Sequence, residues 1–512
     1  MPPLHLSTVL TRKPSNLLSH ISKVSREYAG KGHTLLFTLS SNFTLPQDLQ
    51  AVVERLTKFN DVGDVGERTE KGKGTNGHTI GCLTDSFAST TFENLPVTKE
   101  VDQGPLLSCS LGIFDSKLCM PYRSELPGRE QPQVGRWHSF RKKEVWAASA
   151  GNGGSGLEKP TAEGWEPDWQ NIDTKGNEGG TDWERIWNRS VSASSLEIGL
   201  FPENLRAVKP NNIRALLSFS SSHPDSFTRS LSMHLPNSPS LTVIAAPTHF
   251  ITGRGVTLFL DGRIYDDGAI GLALLKNAEA VGQTAEEGPA FRTEFLNVRR
   301  LSGPMTVTSR EGNMINTLNS SNPTKLLLSA LELAGISPLS ASFKDEDQFA
   351  LGVLAPDGQI SRTHKITAGD PSARGGSLSM DALAAPDVGS VVQFLHFPST
   401  VPLTFPMSLL PSLMPSNNTD AAPNSSKVFA ALTVPEASTP QPHSASHTPS
   451  SETSNILDDT FLVPSSQGFV LSQGLTMLSV PEDVAEPVEA KVTSPSPWTC
   501  SVPGSTVLLE WD

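Results

Sequence analysis

Cysteine is the most nucleophilic side chain near neutral pH, and this chain has four: Cys82, Cys109, Cys119 and Cys500. Cys82 has the most suggestive setting. It stands in Gly81-Cys82-Leu83-Thr84-Asp85, where an expected strand over residues 79–83 ends. Open α/β sheets place their sites at the carboxyl ends of strands. A thiol there needs a base within hydrogen-bond reach. His223 or His249, at equivalent edges of a second unit, could supply one, and a cysteine-dependent hydrolase would follow. The competing reading is a small buried hydrophobe, and no G-x-C-x-G elbow surrounds the residue. No C-x-x-C pair occurs, so no structural zinc site is expected. His443 and His447 lack a carboxylate partner and make no metal site.

Groups suited to binding are more numerous. Arg310-Glu311-Gly312-Asn313 offers a guanidinium, a carboxylate and an amide around a glycine. Such a set could clamp a zwitterion, Arg310 on its carboxylate and Glu311 on its amine; the alternative is an exposed hairpin turn. Ser40 and Ser41 occupy positions like those of Ser220, Ser221 and Ser222 in a second, similar segment. With Cys82 and Thr84 they could line a polar crevice, or they could cap the helices that follow. The letters Gly151 to Gly156 match G-x-G-x-x-G. They lack the preceding apolar strand and following amphipathic helix that would aim a helix N-terminus at a pyrophosphate. No catalytic residue, metal or cofactor is expected.

The elements that must position these groups follow from periodicity. Leu17, Leu18, Ile21, Val24 and Tyr28 share one helical face after Pro14, with Ser15 as the expected N-cap. A strand at 35–40, a helix opening at Pro46-Gln47-Asp48 and the strand at 79–83 imply a parallel pair with a right-handed crossover. The segment from 213 repeats this plan: "ALLSFSSSHPDSFTRSLSMHL…LTVIAAP" echoes "TLLFTLSSNFTLPQDLQAVVERL…HTIGCLTD". An internal duplication of two αβ units is the reading. Residues 256–260 alternate faces, and Asp261-Gly262 is a type I′ hairpin signal. Residues 263–265 and 269–275 complete an expected three-stranded meander, with Gly271 small enough for a close neighbour. Asn322-Pro323 opens a helix with the stripe Leu327, Leu328, Leu331 and Ala334, ended by Gly335.

"GVTLFLDGRIYDDGAIGLALL" followed by "LSGPMTVTSREGNMINTLNSSNPTKLLLSALE" resembles the junction between the two halves of the FIST domain. That domain is a sensory module found beside bacterial signalling domains and in an F-box subunit of a ubiquitin ligase. The shared features are the DG hairpin, the D-G-A-I-G-L-A-L strand, the G-P before a V-T strand, and the G-N-x-I-x-x-L turn. The resemblance covers roughly residues 14–120 and 195–397. It implies a two-lobed α+β module and a ligand, an amino acid or similar polar metabolite, between the lobes. Ser40, Ser41, Cys82, Thr84, Ser220, Ser222, Arg310, Glu311 and Asn313 are the residues placed there. Where the family's second unit ends in Gly-Gly, this chain reads Ala245-Ala246-Pro247, which would reshape the pocket rim. The F-box relative implies the alternative of an interaction scaffold linked to ubiquitin-dependent proteolysis.

Composition sets the frame. With 512 residues, 37% hydrophobic and 18% charged, and 40 each of Gly and Pro, a globular core is diluted by polar segments. The net charge of −13 argues against nonspecific nucleic-acid binding. No apolar run reaches the ~18–20 residues of a membrane span. The expected organisation is α+β: a first half at 14–275, a second at 292–397, a disordered Pro/Ser-rich linker at 399–455, and an extension at 456–512 with two late strands. An insertion at 124–190 holds six of the eight tryptophans and, like the tail, could engage a protein partner. Few, unpatterned cysteines fit a reducing compartment, the cytoplasm. An acid-free start with Arg12, Lys13, Lys23 and Arg26 gives a mitochondrial alternative. The reading that results is a non-catalytic intracellular sensor or adaptor.

Overall fold

The computed structural model describes residues 2–61, 77–92, 106–126, 200–276, 291–336, 348–369, 376–382, 384–398, 403–405, 426–435, 454–473 and 497–511. All belong to one compact unit. The insertion at 124–190 beyond residue 126, the Gly151 to Gly156 stretch, and His443 and His447 lie outside the described residues.

The chain begins β1 (His5–Thr11), α1 (Pro14–Tyr28), β2 (His33–Ser40), α2 (Pro46–Thr57), β3 (Thr79–Thr84) and β4 (Leu107–Asp115). It continues β5 (Cys119–Ser124), β6 (Ile213–Ser220), α3 (Asp225–His234), β7 (Ser240–Ile244), β8 (Leu258–Leu260), β9 (Arg263–Tyr265) and β10 (Ala269–Leu275). Next come β11 (Phe291–Phe295), β12 (Arg299–Arg300), β13 (Met305–Glu311), β14 (Met314–Leu318), α4 (Pro323–Leu333), β15 (Gln348–Leu354), β16 (Ile360–Gly369), β17 (Leu378–Met380) and β18 (Val391–Phe397). The last strands are β19 (Lys427–Thr433), β20 (Ser454–Asp458), β21 (Thr460–Ser465), β22 (Phe469–Ser472), β23 (Trp498–Cys500) and β24 (Ser505–Trp511). The class is mixed α+β.

Two sheets share one strand plan. In the first, β1-β4-β2-β3 surround the parallel pair β2–β3; in the second, β5-β10-β6-β7 surround the parallel pair β6–β7. Each plan is extended beyond its parallel pair by two further strands, β8 and β9 beside β3, β22 and β23 beside β7, and β20 adds to the first sheet beside β1. The expected three-stranded meander is therefore divided. Its hairpin forms, with Asp261 and Gly262 at φ of 49° and 74° and Leu260 opposite Arg263. But β10 leaves for the second sheet, between β5 and β6. The cause is its composition: AIGLALL is apolar on both faces and needs cover on both, whereas the mostly exposed β9 suits a sheet edge.

Helices cover the outer faces. Leu17, Ile21 and Val24 of α1 and Leu49, Val52 and Leu56 of α2 pack on Leu35, Phe37, Leu39 and Leu111. Both helices carry proline in the first turn, and the N-cap residues are Lys13 and Leu45 rather than the expected Ser15. Proline's fixed φ and missing N–H suit the first helical position, which sets that start one residue before Ser15. On the second sheet Phe227 and Leu231 of α3 meet Leu216, Ala269, Ala273 and Tyr122.

The inner faces of both sheets share one apolar core. Leu36, Ile80 and Cys82 from the first and Leu217, Phe219, Leu241 and Ile270 from the second join Phe429, Phe461, Val463, Val507 and Leu509. Those last five come from a separate sheet, β11-β24-β19-β21. Strand β19 lies inside the stretch 399–455 that composition marks as linker, yet its residues after Lys427 are buried. A Pro/Ser/Thr-rich window averages away a seven-residue apolar run, but that is a full strand's length. Strand β21 is an edge whose backbone is met by side chains of the first sheet. Thr8 Oγ1 donates to the Thr460 carbonyl at 2.8 Å and accepts the Leu462 N–H at 3.0 Å, and Ser110 Oγ donates to the Leu462 carbonyl at 2.6 Å.

The remaining strands close on themselves. The order β18-β13-β14-β17-β16-β15 returns to β18 through the β15–β18 pairing, a ring of six antiparallel strands. Leu327, Ala330 and Leu331 of α4 enter its core beside Val307, Ile315, Leu378 and Phe394. Asn322 caps α4 by accepting the Lys325 N–H at 3.0 Å, and Gly335 follows at φ 73°.

Candidate functional site

Cys82 is fully enclosed in the core between the sheets. Burial, then the nearby Asp85 carboxylate, pushes its thiol well above the ordinary range. Burial likewise pushes Cys109 up to about 12 and Cys119 up to about 11, and it raises Cys500. His223 and His249 are exposed. A sealed thiol with its candidate bases in solvent is not set up to form a thiolate, so the buried-hydrophobe alternative describes Cys82.

Backbone hydrogen bonds join the ends of the two parallel pairs. The Ala245 N–H donates to the Ser220 carbonyl at 2.9 Å, and the Ala246 N–H to the Leu83 carbonyl at 3.2 Å. Both alanines are buried. From the other side, the Ser466 N–H donates to Asp85 Oδ2 at 2.6 Å and Ser465 Oγ to the Ile244 carbonyl at 2.7 Å. Ser40 Oγ is buried and accepts the Ser108 N–H at 2.9 Å. The half-buried Ser41 donates its N–H to the Thr84 carbonyl at 2.9 Å. The hydroxyls of Thr84 and Ser220 are enclosed without a hydrogen-bond partner among the described residues. Ser222 is exposed. The capping reading of the serines does not hold, since α2 and α3 have no side-chain cap. The C-terminal segment reaches these strand ends through Ser465 and Ser466, which the local sequence around the serines does not reveal.

The turn after β13 binds its own chain. Arg310 Nη2 lies 2.5 Å from Asp387 Oδ1, and Nη1 donates to the Ala385 carbonyl. Asn313 Nδ2 donates to the Met380 carbonyl at 3.0 Å. Glu311 is exposed. Arg310 and Asn313 thus hold Met380, Ala385 and Asp387 against the barrel, and the guanidinium is occupied without a ligand.

Open space lies elsewhere. At the base of the two repeated sheets, a groove of about 270 Å³ is lined by Leu4, Phe114, Asp115, Leu118, Arg214, Leu274 and Lys427, among others. Phe114 belongs to β4 of the first sheet, while Arg214 and Leu274 belong to β6 and β10 of the second. Lys427 Nζ donates to the Pro3 and Leu4 carbonyls at 2.8 and 3.1 Å. A second groove, of about 380 Å³, runs along Phe201, Leu205, Val208 and Leu235, with Phe201 stacked on His234 at 4.4 Å. None of the nine sequence-nominated residues lines either groove. Sequence reasoning passed over Arg214; its signal was the single charge in the strand IRALLSFS.

Among the described residues no group of three or more His, Cys, Asp or Glu could hold a metal ion. No described helix is long and apolar enough to cross a membrane. In comparison with known proteins, no family model and no curated protein matches the chain.

Proposed function

We propose that the chain is a non-catalytic, FIST-like sensor or adaptor that binds a small ligand between its two repeated sheets. One observation carries this reading. Two copies of one strand plan close over a common core yet leave an open groove of mixed charge between them, at the end opposite the serines. The order of motifs shared with the FIST domain supports the same class. The enclosure of all four cysteines removes the support for the hydrolase alternative.

A ligand in that groove would touch β4 of one sheet and β6 and β10 of the other. It would favour whichever arrangement of the two sheets holds these walls at the right separation, because a ligand shifts only the states it binds unequally. The response would pass to a protein partner. The test is a melting-temperature screen of the full chain against amino acids and small metabolites. Ligand binding to the folded state raises the melting temperature, so at least one compound is expected to do so; a flat response across the panel overturns the reading.

A further inference from the structure

Arg214 sits at a fault in its sheet. Along the β6–β10 pair, Leu274 faces Ala215 but Leu275 faces Ile213, so Arg214 is the extra residue of a β-bulge. Ala215 packs in the core between the sheets, and Ile213 packs under the helix-covered face. Strict alternation from Ala215 would send residue 214 toward the helices. The bulge re-aims it, and its side chain lines the groove beside Phe114 and Leu274.

The other charges there are engaged. Lys427 donates to two backbone carbonyls, and Asp115 Oδ1 accepts the Lys117 N–H at 2.9 Å. Arg214 makes no hydrogen bond or ion pair with another described residue. Arg214 is half-buried, and a guanidinium beside apolar side chains is a good receptor for an anion. Its planar fork matches a carboxylate in two parallel bonds, which a point charge such as lysine cannot reproduce. On the same wall, Phe114, Leu118 and Leu274 call for an apolar body. A volume of about 270 Å³ lies just below the range of small-molecule pockets, roughly 300–1,000 Å³, so the ligand must be small.

We infer that this groove binds a small monocarboxylate with an aromatic or branched aliphatic body, its carboxylate on Arg214 and its body on Phe114 and Leu274. The inference rests on the ligand-binding reading above and names that ligand's class and its anchor. The expected probe is 3-phenylpropionate, with 3-phenylpropanol as the uncharged control and phenylalanine as the zwitterionic one.

Calorimetric titration of the full chain decides it. The acid is expected to bind at least about tenfold more tightly than the alcohol, the effect of one charge-assisted pair. Arg214→Gln is expected to remove that difference, and Arg214→Lys to keep part of it. Equal binding of acid and alcohol, undiminished binding to Arg214→Gln, or phenylalanine binding about tenfold more tightly than the acid would each overturn the inference. Should Arg214→Gln not fold, the acid–alcohol comparison on the unmodified chain stands alone as the test. Silence toward the acid, with a melting-temperature rise from some other metabolite, refutes the carboxylate while leaving the sensor. Silence toward every compound removes both.

Discussion

A neutral imidazole can be buried at modest cost, but a protonated one enclosed in the same place is expensive. Two histidines are held in that way. His20 of α1 is 6% exposed, with Nε2 2.9 Å from Ser7 Oγ; burial, then the charges of His5 and Lys23, lowers its pKa to about 4. His364 of β16 is 8% exposed, and burial, then Arg362, lowers it to about 4. Both folded-state values lie below the ordinary 6.5. Between those limits the unfolded chain binds more protons than the folded one, so stability is complete above the upper limit and is lost as pH falls. From pH 7 to pH 5 each histidine should remove up to about 2 kcal/mol. His78 works with the opposite sign: its hydrogen bond to Asp261, which outweighs burial, raises its pKa, so its contribution is present in acid and fades as pH rises. Urea unfolding at the two pH values tests the balance. The double variant His20→Gln/His364→Gln is expected to lose about 2–4 kcal/mol less than the parent on acidification. Equal losses would contradict the assignment.

At the scale of elements, β10 shows how a strand is committed to one sheet. A methyl group on Gly271 would stand 2.5 Å from the Tyr122 ring and 2.6 Å from the Leu217 carbonyl. The ring could swing aside; the carbonyl belongs to the paired strand and cannot. Gly271→Ala should therefore cost about 1–3 kcal/mol in denaturant unfolding. Adding Tyr122→Leu should restore only part, because the backbone obstacle remains; a neutral Gly271→Ala would refute the close approach. The Asp261-Gly262 turn and the Asn322-Pro323 helix start were legible because each depends on residues that touch along the chain, and Gly271 because a glycine within a strand itself signals a close neighbour. The partner of β10, the bulge at Arg214 and the burial of β19 were not. Those depend on strands far apart in sequence, whose pairing is chosen by which faces need cover. The serines show the same limit. Their strand ends could be placed by pattern, but the segment that bonds to Ile244 and Asp85 beside them, Ser465 to Gly468, arrives from more than two hundred residues downstream.

At the scale of the whole molecule, the segments beyond residue 398 hold the repeated sheets together. Strand β20 pairs with β1, at one edge of the first sheet, and β22 pairs with β7, in the second. Strand β21 receives the hydroxyls of Thr8 and Ser110, and Phe429, Phe461, Val463, Val507 and Leu509 fill the core between the inner faces. Each such side chain contributes roughly 1.5–3 kcal/mol when fully buried. Five of them approach the whole of a typical domain's stability of about 5–15 kcal/mol, before the unpaired edges of β1 and β7 are counted. The barrel of β13 to β18 differs, since its ring closes without any of these strands and encloses its own core. Ending the chain after residue 398 is thus expected to separate the two behaviours. The truncated protein should lose the sharp near-ultraviolet circular dichroism of the repeated sheets and their cooperative urea transition, while a smaller β signal from the barrel persists. A truncated chain that unfolds in one transition at the parent's midpoint would mean that the repeated sheets stand without their C-terminal strands, and that the core they share is not what joins them.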